Sequence, residues 1–435
     1  MRRLVWLCGF AISALVTSSH LPLAVADWPQ WRGPSGNSVS DEMRLPLAWS
    51  DRAGIAWKVE LPGWGASTPA ISHGAMFVTS QDGDKLLLLR VDSKTGGVVW
   101  KQEVGTGTTP RNVKGRGDQK FHDLHNLATP SPVADGKTVV CHFGNGLLAA
   151  YDFDGQQLWS RNLAEDYGKY TIWWGHANSP VLYKNLVISV CMQDSLADLA
   201  EHSGKPAASY IVAHDLATGR VRWHIDRNTG ANAEQCDAYT TPVLYETEDG
   251  TRMIVMGGNE LTAYNPANGK EVWRLPKLVG GRTVTGPTVG DGKVYATIGM
   301  RGAMLAVPLG GKGELARSTA AWEHRAGTSD SCCPVPWDGL LFSVTDDGIA
   351  RCFDGNVGAI KWQKRLDGSY KASPVAADGR VYFLNTAGHC TVVPGTVRFE
   401  KLAENQIDDE TVASPAISDG RIYIRGKKRL YAIER

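Results

Sequence analysis

This sequence has almost no excess of positive over negative charge. Its 46 Lys and Arg residues and 45 Asp and Glu residues leave a formal net charge of +1. Nucleic acid and anionic membrane surfaces usually select a basic excess, so neither partner is expected. The 48 Gly and 21 Pro among 435 residues are too few for a collagen-like or low-complexity chain. No Cys-x-x-Cys pair occurs among the 8 cysteines, which argues against a metal site built from thiolates.

A long apolar run occurs only near the N-terminus. It extends from Leu4 to Val16, follows two arginines, and precedes the small residues Ala24-Val25-Ala26. This arrangement is typical of a secretory signal peptide, because the alternative, a membrane anchor, would need about 20 apolar residues. We therefore predict a signal peptide at residues 1–26, cleaved after Ala26. The protein is then expected to be exported, periplasmic or extracellular, without a transmembrane segment, and soluble after cleavage.

Tryptophan is abundant, with 15 residues against 9 Phe, and an internal repeat accounts for it. A residue followed by Pro opens a short apolar segment eight times, about every 49 residues. The eight dipeptides are Thr68-Pro69, Ser131-Pro132, Ser179-Pro180, Thr241-Pro242, Gly286-Pro287, Cys333-Pro334, Ser373-Pro374 and Ser414-Pro415. Asp-Gly pairs such as Asp291-Gly292 follow most of them, and Asp-Gly between apolar segments predicts a β-hairpin.

One aromatic residue lies in phase in each repeat. These residues are Trp57, Trp100, Trp159, Trp223, Trp273, Trp322, Trp362 and Phe399. The pattern predicts an all-β fold, an eight-bladed β-propeller, in which each aromatic ring packs between neighbouring blades. The last repeat ends at Arg435 before its own aromatic residue, so a strand containing Trp57 is expected to close the last blade. The predicted boundaries are an extended N-terminal segment at 27–53 and the propeller at 54–435.

Two kinds of segment resemble a known family. Ala213-His-Asp-Leu-Ala-Thr-Gly-Arg-Val-Arg-Trp223 and the matching segment that ends at Trp273 are similar to the tryptophan-docking repeat of PQQ-like (pyrroloquinoline-quinone-like) propellers. Trp28-Pro-Gln-Trp31-Arg-Gly-Pro resembles the opening of a large exported PQQ-like subfamily. The resemblance implies one of two branches. Quinoprotein dehydrogenases bind the quinone and calcium on the propeller axis and oxidise alcohols or sugars, whereas outer-membrane assembly propellers of the BamB type bind partner proteins without a cofactor.

The dehydrogenase branch has one argument in its favour. Adjacent Cys332 and Cys333 are a candidate vicinal disulfide, because that branch often stacks such a disulfide on the quinone; two reduced cysteines are the alternative. The resemblance places the pair in an early blade, whereas here it precedes the sixth. Calcium needs about six to eight oxygen ligands, and no cluster of Glu, Asn and Asp matches the family's set. We expect no metal and no cofactor, with PQQ and calcium only under the dehydrogenase alternative, and we assign no catalytic residue.

Binding residues are expected just before the first strand of each blade, because these loops surround one mouth of the channel. The candidates are His122, Asp123, His125, Asn126, Trp174, His176, Asn178, Asp237, Tyr239, Arg282, Asp330 and Lys371. Three of them, His122, His125 and His176, are of a type that ligates a metal; hydrogen-bonded loop packing is the competing interpretation. Insertions at residues 105–121 and 195–208 lengthen two further loops.

The predicted function is binding. We expect a monomeric, non-catalytic exported propeller that acts as a scaffold for a protein or a cell-envelope polymer, as in the BamB branch. The first alternative is a PQQ- and calcium-dependent dehydrogenase of alcohols or sugars. The second is a saccharide-binding or hydrolytic propeller, which for hydrolysis would need two carboxylates about 5 to 9 Å apart at the mouth. Asp123, Asp237 and Asp330 are the carboxylates to compare.

Overall fold

The computed structural model describes residues 27–115, 117–194, 196 and 209–435. The predicted signal peptide, residues 1–26, and most of the insertion at 195–208 lie outside the described residues. Across the described ranges, no helix has the length and apolarity that crossing a membrane requires.

Eight antiparallel sheets surround a central channel, which confirms the predicted all-β, eight-bladed propeller. The first strands of neighbouring blades contact one another, so they lie nearest the channel and the fourth strands lie outermost. The predicted Asp-Gly hairpins join first to second strands: Asp291, Asp378 and Asp419 adopt positive φ there, as tight hairpin turns require. The loops before the first strands therefore meet at one end of the channel, and the hairpins meet at the other.

The first half of the ring contains blades one to four. Blade one consists of β2 (Ala70–Ser72), β3 (Ala75–Asp82), β4 (Lys85–Asp92) and β5 (Val98–Thr106). Blade two consists of β6 (Val133–Ala134), β7 (Thr138–His142), β8 (Leu147–Asp152) and β9 (Gln157–Asn162). Blade three consists of β10 (Val181–Tyr183), β11 (Leu186–Cys191), β12 (Tyr210–Asp215) and β13 (Val221–Asp226). Blade four consists of β14 (Val243–Tyr245), β15 (Arg252–Gly257), β16 (Glu260–Tyr264) and β17 (Glu271–Leu275), with β21 (Gly313–Glu314) added in parallel at its edge.

The second half contains blades five to eight. Blade five consists of β18 (Thr288–Gly290), β19 (Lys293–Thr297), β20 (Met304–Pro308) and β22 (Trp322–His324). Blade six consists of β23 (Val335–Trp337), β24 (Leu340–Val344), β25 (Ile349–Asp354) and β26 (Ile360–Arg365). Blade seven consists of β27 (Val375–Ala377), β28 (Arg380–Leu384), β29 (His389–Pro394) and β30 (Ala403–Gln406). Blade eight consists of β31 (Ala416–Ser418), β32 (Arg421–Arg425), β33 (Arg429–Ile433) and β1 (Ile55–Glu60). Among the described residues, helical structure is limited to α1 (Leu163–Tyr167) and two 3-10 turns, at Ala233–Gln235 and Arg317–Thr319.

The N-terminal strand closes the last blade, as predicted. β1 pairs antiparallel with β33, from Ile55 opposite Ile433 to Glu60 opposite Arg429. The first and the last strand of the described chain thus share one sheet. This pairing covers the open edge that β33 would otherwise present to solvent.

The repeated tryptophans connect each blade to the next one. In six of them the indole N–H donates to a backbone carbonyl in the turn between the third and fourth strands of the next blade; Trp159, for example, donates to the Leu216 carbonyl at 2.8 Å. The others are Trp57, Trp100, Trp223, Trp322 and Trp362. Trp273 packs against Gly311 in the corresponding turn of blade five. Phe399 differs, because it lies in the turn that receives Trp362, with the ring centroids 5.2 Å apart. It belongs to the turn that contacts the tryptophan of the preceding blade, which we call the socket, and it does not lie on an outer strand as the repeated tryptophans do.

Residues 27–53 form a strap across the hairpin end of the channel. The strap begins beside blade one, where Trp28 pairs with Ile71. Arg32 then donates to the carbonyls of Pro287 and Pro334 in blades five and six. The strap next pairs with blade seven and leads into β1 of blade eight. Because it passes from blade one to the opposite side of the ring, it crosses the channel.

Candidate functional site

The residues before the eight prolines form a ring of hydrogen bonds around the channel. In six places the backbone N–H of one residue donates to the side chain of its equivalent in the next blade, over 2.9 to 3.1 Å. The bonded series are Thr68, Ser131, Ser179 and Thr241, and then Gly286, Cys333, Ser373 and Ser414. Gly286 has no side chain to accept the next bond, so the ring is open between blades four and five. Between blades eight and one the contact is of another kind, because Thr68 Oγ1 donates to the Ser414 carbonyl. We call Ser131, Ser179, Thr241, Ser373 and Ser414 the hydroxyl ring.

Cys333 takes the place of a hydroxyl in this series, and the candidate disulfide with Cys332 is not present. Both thiols are free and fully buried. The Cys333 Sγ accepts the Gly286 N–H at 3.1 Å, and the Cys333 N–H donates to Ser373 Oγ. Cys332 packs in the core between blades six and seven, where burial raises the pKa of its thiol well above the ordinary value. The two residues thus have separate structural roles, which is the reduced-cysteine alternative.

A cavity of about 380 Å³ lies above the hydroxyl ring at the mouth of the channel. Trp31 of the strap lies at its lower end, against Gly286. The hydroxyl ring surrounds the lower part. Trp174 and Tyr239 contribute aromatic walls, and the backbone N–H of Trp174 donates to the Tyr239 Oη at 3.1 Å. The cavity is thus bounded by aromatic rings and hydroxyl groups and opens at the mouth.

Seven of the twelve predicted mouth residues line this cavity. They are His122, His125, Trp174, Tyr239, Arg282, Asp330 and Lys371. They come from the loops before blades two to seven, because each such loop enters its first strand at the same end of the channel.

The other five predicted residues lie outside the cavity lining. Asp123 is exposed on the rim, 3.9 Å from Arg111. The remaining four, Asn126, His176, Asn178 and Asp237, are buried behind the mouth loops. Asn126 and Asn178 hold these loops in place by donating to backbone carbonyls. Asp237 accepts the Trp173 N–H at 2.9 Å and so positions the loop that carries Trp174.

Each charged side chain in the cavity lining has a partner of opposite charge. Arg282 donates to Asp330 at 3.1 Å and to Glu234 at 3.3 Å. The Lys371 Nζ lies 2.6 Å from Asp346, a carboxylate that also accepts bonds from the loop before blade six. Burial alone would raise the pKa of Asp346, but the bonds and the charge from Lys371 lower it below its usual range. The cavity therefore presents paired charges and no isolated ion.

The two histidines of the mouth are neutral at neutral pH. Burial lowers the pKa of His125 to about 4. Its two ring nitrogens contact the Trp174 carbonyl and Thr129 Oγ1, at 2.6 and 3.2 Å. Burial, followed by the positive charge of Lys371, lowers the pKa of His122. Both nitrogens of His125 are thus engaged, whereas the exposed His122 accepts the Leu124 N–H at Nδ1.

A metal site at these histidines is not formed. His176 stacks on Tyr170 and packs against His142, with ring centroids 4.6 and 4.7 Å apart, whereas His125 bonds to the Trp174 carbonyl. Over the described ranges, no three His, Cys, Asp or Glu side chains come together in an arrangement that could hold a metal ion. The interpretation as hydrogen-bonded and packed loop residues fits the geometry.

The residues present do not fit a quinone with calcium. A calcium ion would need several converging oxygen ligands. The best-placed carboxylates, Asp330 and Asp346, are already held by Arg282 and Lys371 and by backbone N–H groups. The vicinal thiols are buried in the ring and the core, so they offer no face to a planar ligand.

Sequence reasoning missed three parts of the site: Trp31, Asp346 and the hydroxyl ring. The eight X-Pro dipeptides mark the ring in the sequence, but only the closed propeller shows that their side chains bond to one another. Trp31 is separated from every other lining residue in the chain, and its position depends on the course of the strap. Asp346 follows the second strand of blade six, and nothing in the sequence indicates that it faces Lys371.

Comparison with known proteins gives one family match and several relatives of the fold. The family model described as outer membrane protein assembly factor BamB matches residues 39–203, 207–308 and 311–435. Tetrathionate hydrolase of Acidithiobacillus ferrooxidans is 27% identical over 252 residues, which are 55% of this chain and 43% of that protein. The chain thus spans less than half of the length of that relative.

Two solved structures show the likeness in fold. BamB from Moraxella catarrhalis superposes with a TM-score of 0.61 at 14% identity, over 88% of this chain and 99% of that one. Quinohemoprotein alcohol dehydrogenase from Comamonas testosteroni gives a TM-score of 0.68 at 13% identity, over 94% of this chain and 80% of that one. At these identities the likeness shows a shared propeller fold alone.

Proposed function

This chain belongs to the family of outer membrane protein assembly factor BamB, and from that premise we propose that it is a non-catalytic binding scaffold of the cell envelope. The cavity at the channel mouth is its binding site, and the occupant is part of a protein or of a cell-envelope polymer. The protein is proposed to be exported by the predicted signal peptide and to act without a cofactor.

The observation that carries this proposal is the state of the polar groups around the cavity. The carboxylates and the thiol that could serve as acid, base or nucleophile are paired or buried, namely Asp330 with Arg282, Asp346 with Lys371, and Cys333 within the ring, whereas His122 stays exposed at the mouth. Catalytic groups usually have perturbed pKa values suited to proton transfer and a free path to the substrate. Here the surfaces that stay accessible are aromatic rings and hydroxyl groups, which suit recognition.

The dehydrogenase alternative has no independent support in the site. The dehydrogenases share only the propeller fold with this chain, and the side chains of this cavity do not fit the quinone and its calcium ion. The name of the tetrathionate hydrolase relative suggests an anionic substrate, but every cation of the cavity lining already has a carboxylate partner. We therefore carry neither activity over to this chain.

Co-sedimentation with insoluble bacterial envelope material tests the proposal. The chain from Asp27 to Arg435 should sediment with purified sacculi or outer-membrane fragments in a saturable manner. Trp174→Ala removes one wall of the cavity and should weaken the binding at least tenfold. Val357→Ala, on an exposed turn at the outer edge of blade six, is the matched control and should bind as the wild type does. Absence of saturable binding, or equal binding by all three proteins, would contradict a binding site at the mouth.

A further inference from the structure

The strap closes the lower end of the cavity. Trp31 lies at the lower end of the cavity, and the next residue, Arg32, is fully buried. Arg32 packs against the Trp31 ring, 5.4 Å from its centroid, and is fixed by bonds to Ser38 and to blades five and six. Trp31 occupies the opening that Gly286 leaves in the ring, where a Cβ atom would already lie 3.5 Å from the indole. A ligand can therefore enter only from the mouth, so an extended polymer can insert an end but cannot pass through.

The hydroxyl ring presents hydrogen-bond donors to this blind end. Each of its five oxygens accepts a backbone N–H from the preceding member of the series. A hydroxyl that accepts one bond still has its own proton to donate. In the part of the chain that the structure describes, no acceptor is bonded to any of these five protons, and all five side chains line the cavity. The lower cavity therefore suits a ligand that carries several oxygen acceptors.

The upper cavity suits an uncharged ligand with flat apolar faces. The charged side chains of the upper cavity are already paired, Arg282 with Asp330 and Lys371 with Asp346. A ligand with a strong net charge would therefore find no unpaired side chain of opposite charge. Such pairs still offer both donors and acceptors at fixed positions. Trp174 and Tyr239 add aromatic surface at the side, and Trp31 adds it below. Pockets that combine aromatic faces with a few fixed polar groups are typical of specific small-ligand sites.

We propose that this cavity recognises the terminal sugar unit of a neutral saccharide chain, with Trp31 as the floor on which the sugar stacks. A pyranose has an apolar C–H face for the indole and a rim of hydroxyl groups for the hydroxyl ring. This inference rests on the proposed binding function and gives the chemistry of its ligand. It also gives the strap a second role, because the strap supplies a specificity-determining residue in addition to covering the channel.

Calorimetric titration with trisaccharides tests the inference. Maltotriose, cellotriose and triacetylchitotriose are titrated into the chain from Asp27 to Arg435, up to about 10 mM, where binding with millimolar affinity is still measurable. At least one should bind one-to-one. Trp31→Ala should weaken this binding at least tenfold and Trp31→Phe by less, because Phe retains an aromatic face. Val357→Ala should bind as the wild type does.

Two further measurements distinguish a loss of sugar binding from a folding defect, and recognition of the chain end from recognition of internal sugar units. Trp174 lies outside the strap, so a loss of binding in Trp174→Ala does not depend on how the strap packs. The unfolding midpoint of this variant is compared with that of the wild type. The hexasaccharide of the bound series should bind with the same affinity per molecule as the trisaccharide, because each has one end to insert. An affinity that rises with the number of sugar units would overturn recognition of the chain end.

The outcomes distinguish the two proposals. If the chain sediments with envelope material through its mouth but no trisaccharide binds or competes, the saccharide inference is wrong and the binding function stands. If neither the envelope material nor a trisaccharide binds, both are wrong. Competition of a bound trisaccharide with the envelope material would support both.

Discussion

At the scale of single residues, Cys333 shows how a thiol can replace a hydroxyl in a structural hydrogen bond. Its sulfur accepts the Gly286 N–H, and the Cys333 side chain is fully buried, so it is needed as an acceptor. Leaving a buried N–H without a partner costs about 1 to 3 kcal/mol. The equivalent positions in blades two, three, seven and eight are Ser, so Ser should be accepted here as well.

Cys333→Ala should therefore lower the free energy of unfolding by about 1 to 3 kcal/mol, whereas Cys333→Ser should stay close to the wild type. Urea unfolding of the two variants measures the difference. If serine destabilises as much as alanine does, Cys333 serves by its volume and not as an acceptor.

Thiol reactivity is a second property set by single residues. Of the seven described cysteines, six are buried and Cys236 is partly exposed. Burial raises the pKa of Cys141 and Cys352 to about 12, and a protonated thiol is a poor nucleophile. A thiol reagent added to the folded chain from Asp27 to Arg435 at pH 8 should modify Cys236 alone within minutes. In denaturant all seven should react; fewer would indicate a disulfide.

Buried histidines make the fold sensitive to acid. Burial lowers the pKa of His142 to about 3 and of His214 to about 4, below the ordinary value of about 6.5. Between these values the unfolded chain binds protons that the folded chain does not, so stability falls as pH falls. Each such histidine should contribute a loss on the order of 1 kcal/mol per pH unit from about pH 6.5 down to its folded pKa.

His214→Leu removes one such group and should flatten the dependence of stability on pH between about 6.5 and 4. The side chain is fully buried beside Trp159, so leucine keeps most of its packing. His389→Leu, at an exposed position, is the control for the replacement of a histidine by leucine. Urea unfolding at several pH values measures both, and an unchanged slope in His214→Leu would contradict this assignment.

At the scale of the repeated element, the Asp-x-x-Thr-Gly turn is the socket for the tryptophan of the preceding blade. In blade three, Asp215 accepts bonds from the backbone and side chain of Thr218, which fixes the turn. The same turn offers the Leu216 carbonyl to the Trp159 N–H. Gly219 has a φ of 66° and lies directly under the Trp159 ring. Conformation and contact both require glycine at this point.

Gly219→Ala and Gly292→Ala separate these two requirements. Both glycines have positive φ, but a Cβ on Gly219 would lie 2.6 Å from Trp159, whereas a Cβ on Gly292 would meet nothing within 4 Å. Gly292→Ala should lose about 1 to 2 kcal/mol of stability from backbone strain alone. Gly219→Ala should lose at least about 2 kcal/mol more, because the tryptophan must move. Equal losses in urea unfolding would show that the socket contact contributes little.

The repeat is also the level at which the sequence is most informative. The X-Pro dipeptides, the Asp-Gly pairs and the phased tryptophans predict the blades, because each is a local signal of strand start, hairpin or docking. The same signals do not show that the ring is open at Gly286 or that Phe399 belongs to a socket. These features depend on contacts between neighbouring blades, which a single repeat does not contain.

At the scale of the whole molecule, the N-terminal residues do two things. β1 completes blade eight, and the strap closes the channel below the cavity. The closing strand could be predicted because the last repeat lacks one. The floor could not, since Trp31 reaches Gly286 only by crossing the folded ring, over a separation of more than half the chain.

Val59→Pro tests the closure. Val59 lies two residues before Leu61, whose N–H donates to the Lys428 carbonyl, so the Val59 N–H faces β33 and proline there removes a ladder hydrogen bond. Gln102→Pro, opposite Leu88, is the matched control in β5, also an outer strand, but one joined to its blade through the chain. Val59→Pro should lower the unfolding midpoint more than Gln102→Pro and should self-associate in size-exclusion chromatography, because blade eight then exposes an edge. The reverse order would mean that the ring stays closed without β1.

The central claim is that this propeller binds at its channel mouth without quinone chemistry, and titration of pyrroloquinoline quinone in the presence of calcium tests it most directly. Calorimetry on the chain from Asp27 to Arg435 should give no saturable one-to-one binding, because the carboxylates of the mouth are already paired and the vicinal thiols are buried. Saturable binding that is lost in the double variant Cys332→Ser/Cys333→Ser would contradict the claim. The site would then be that of a quinoprotein dehydrogenase.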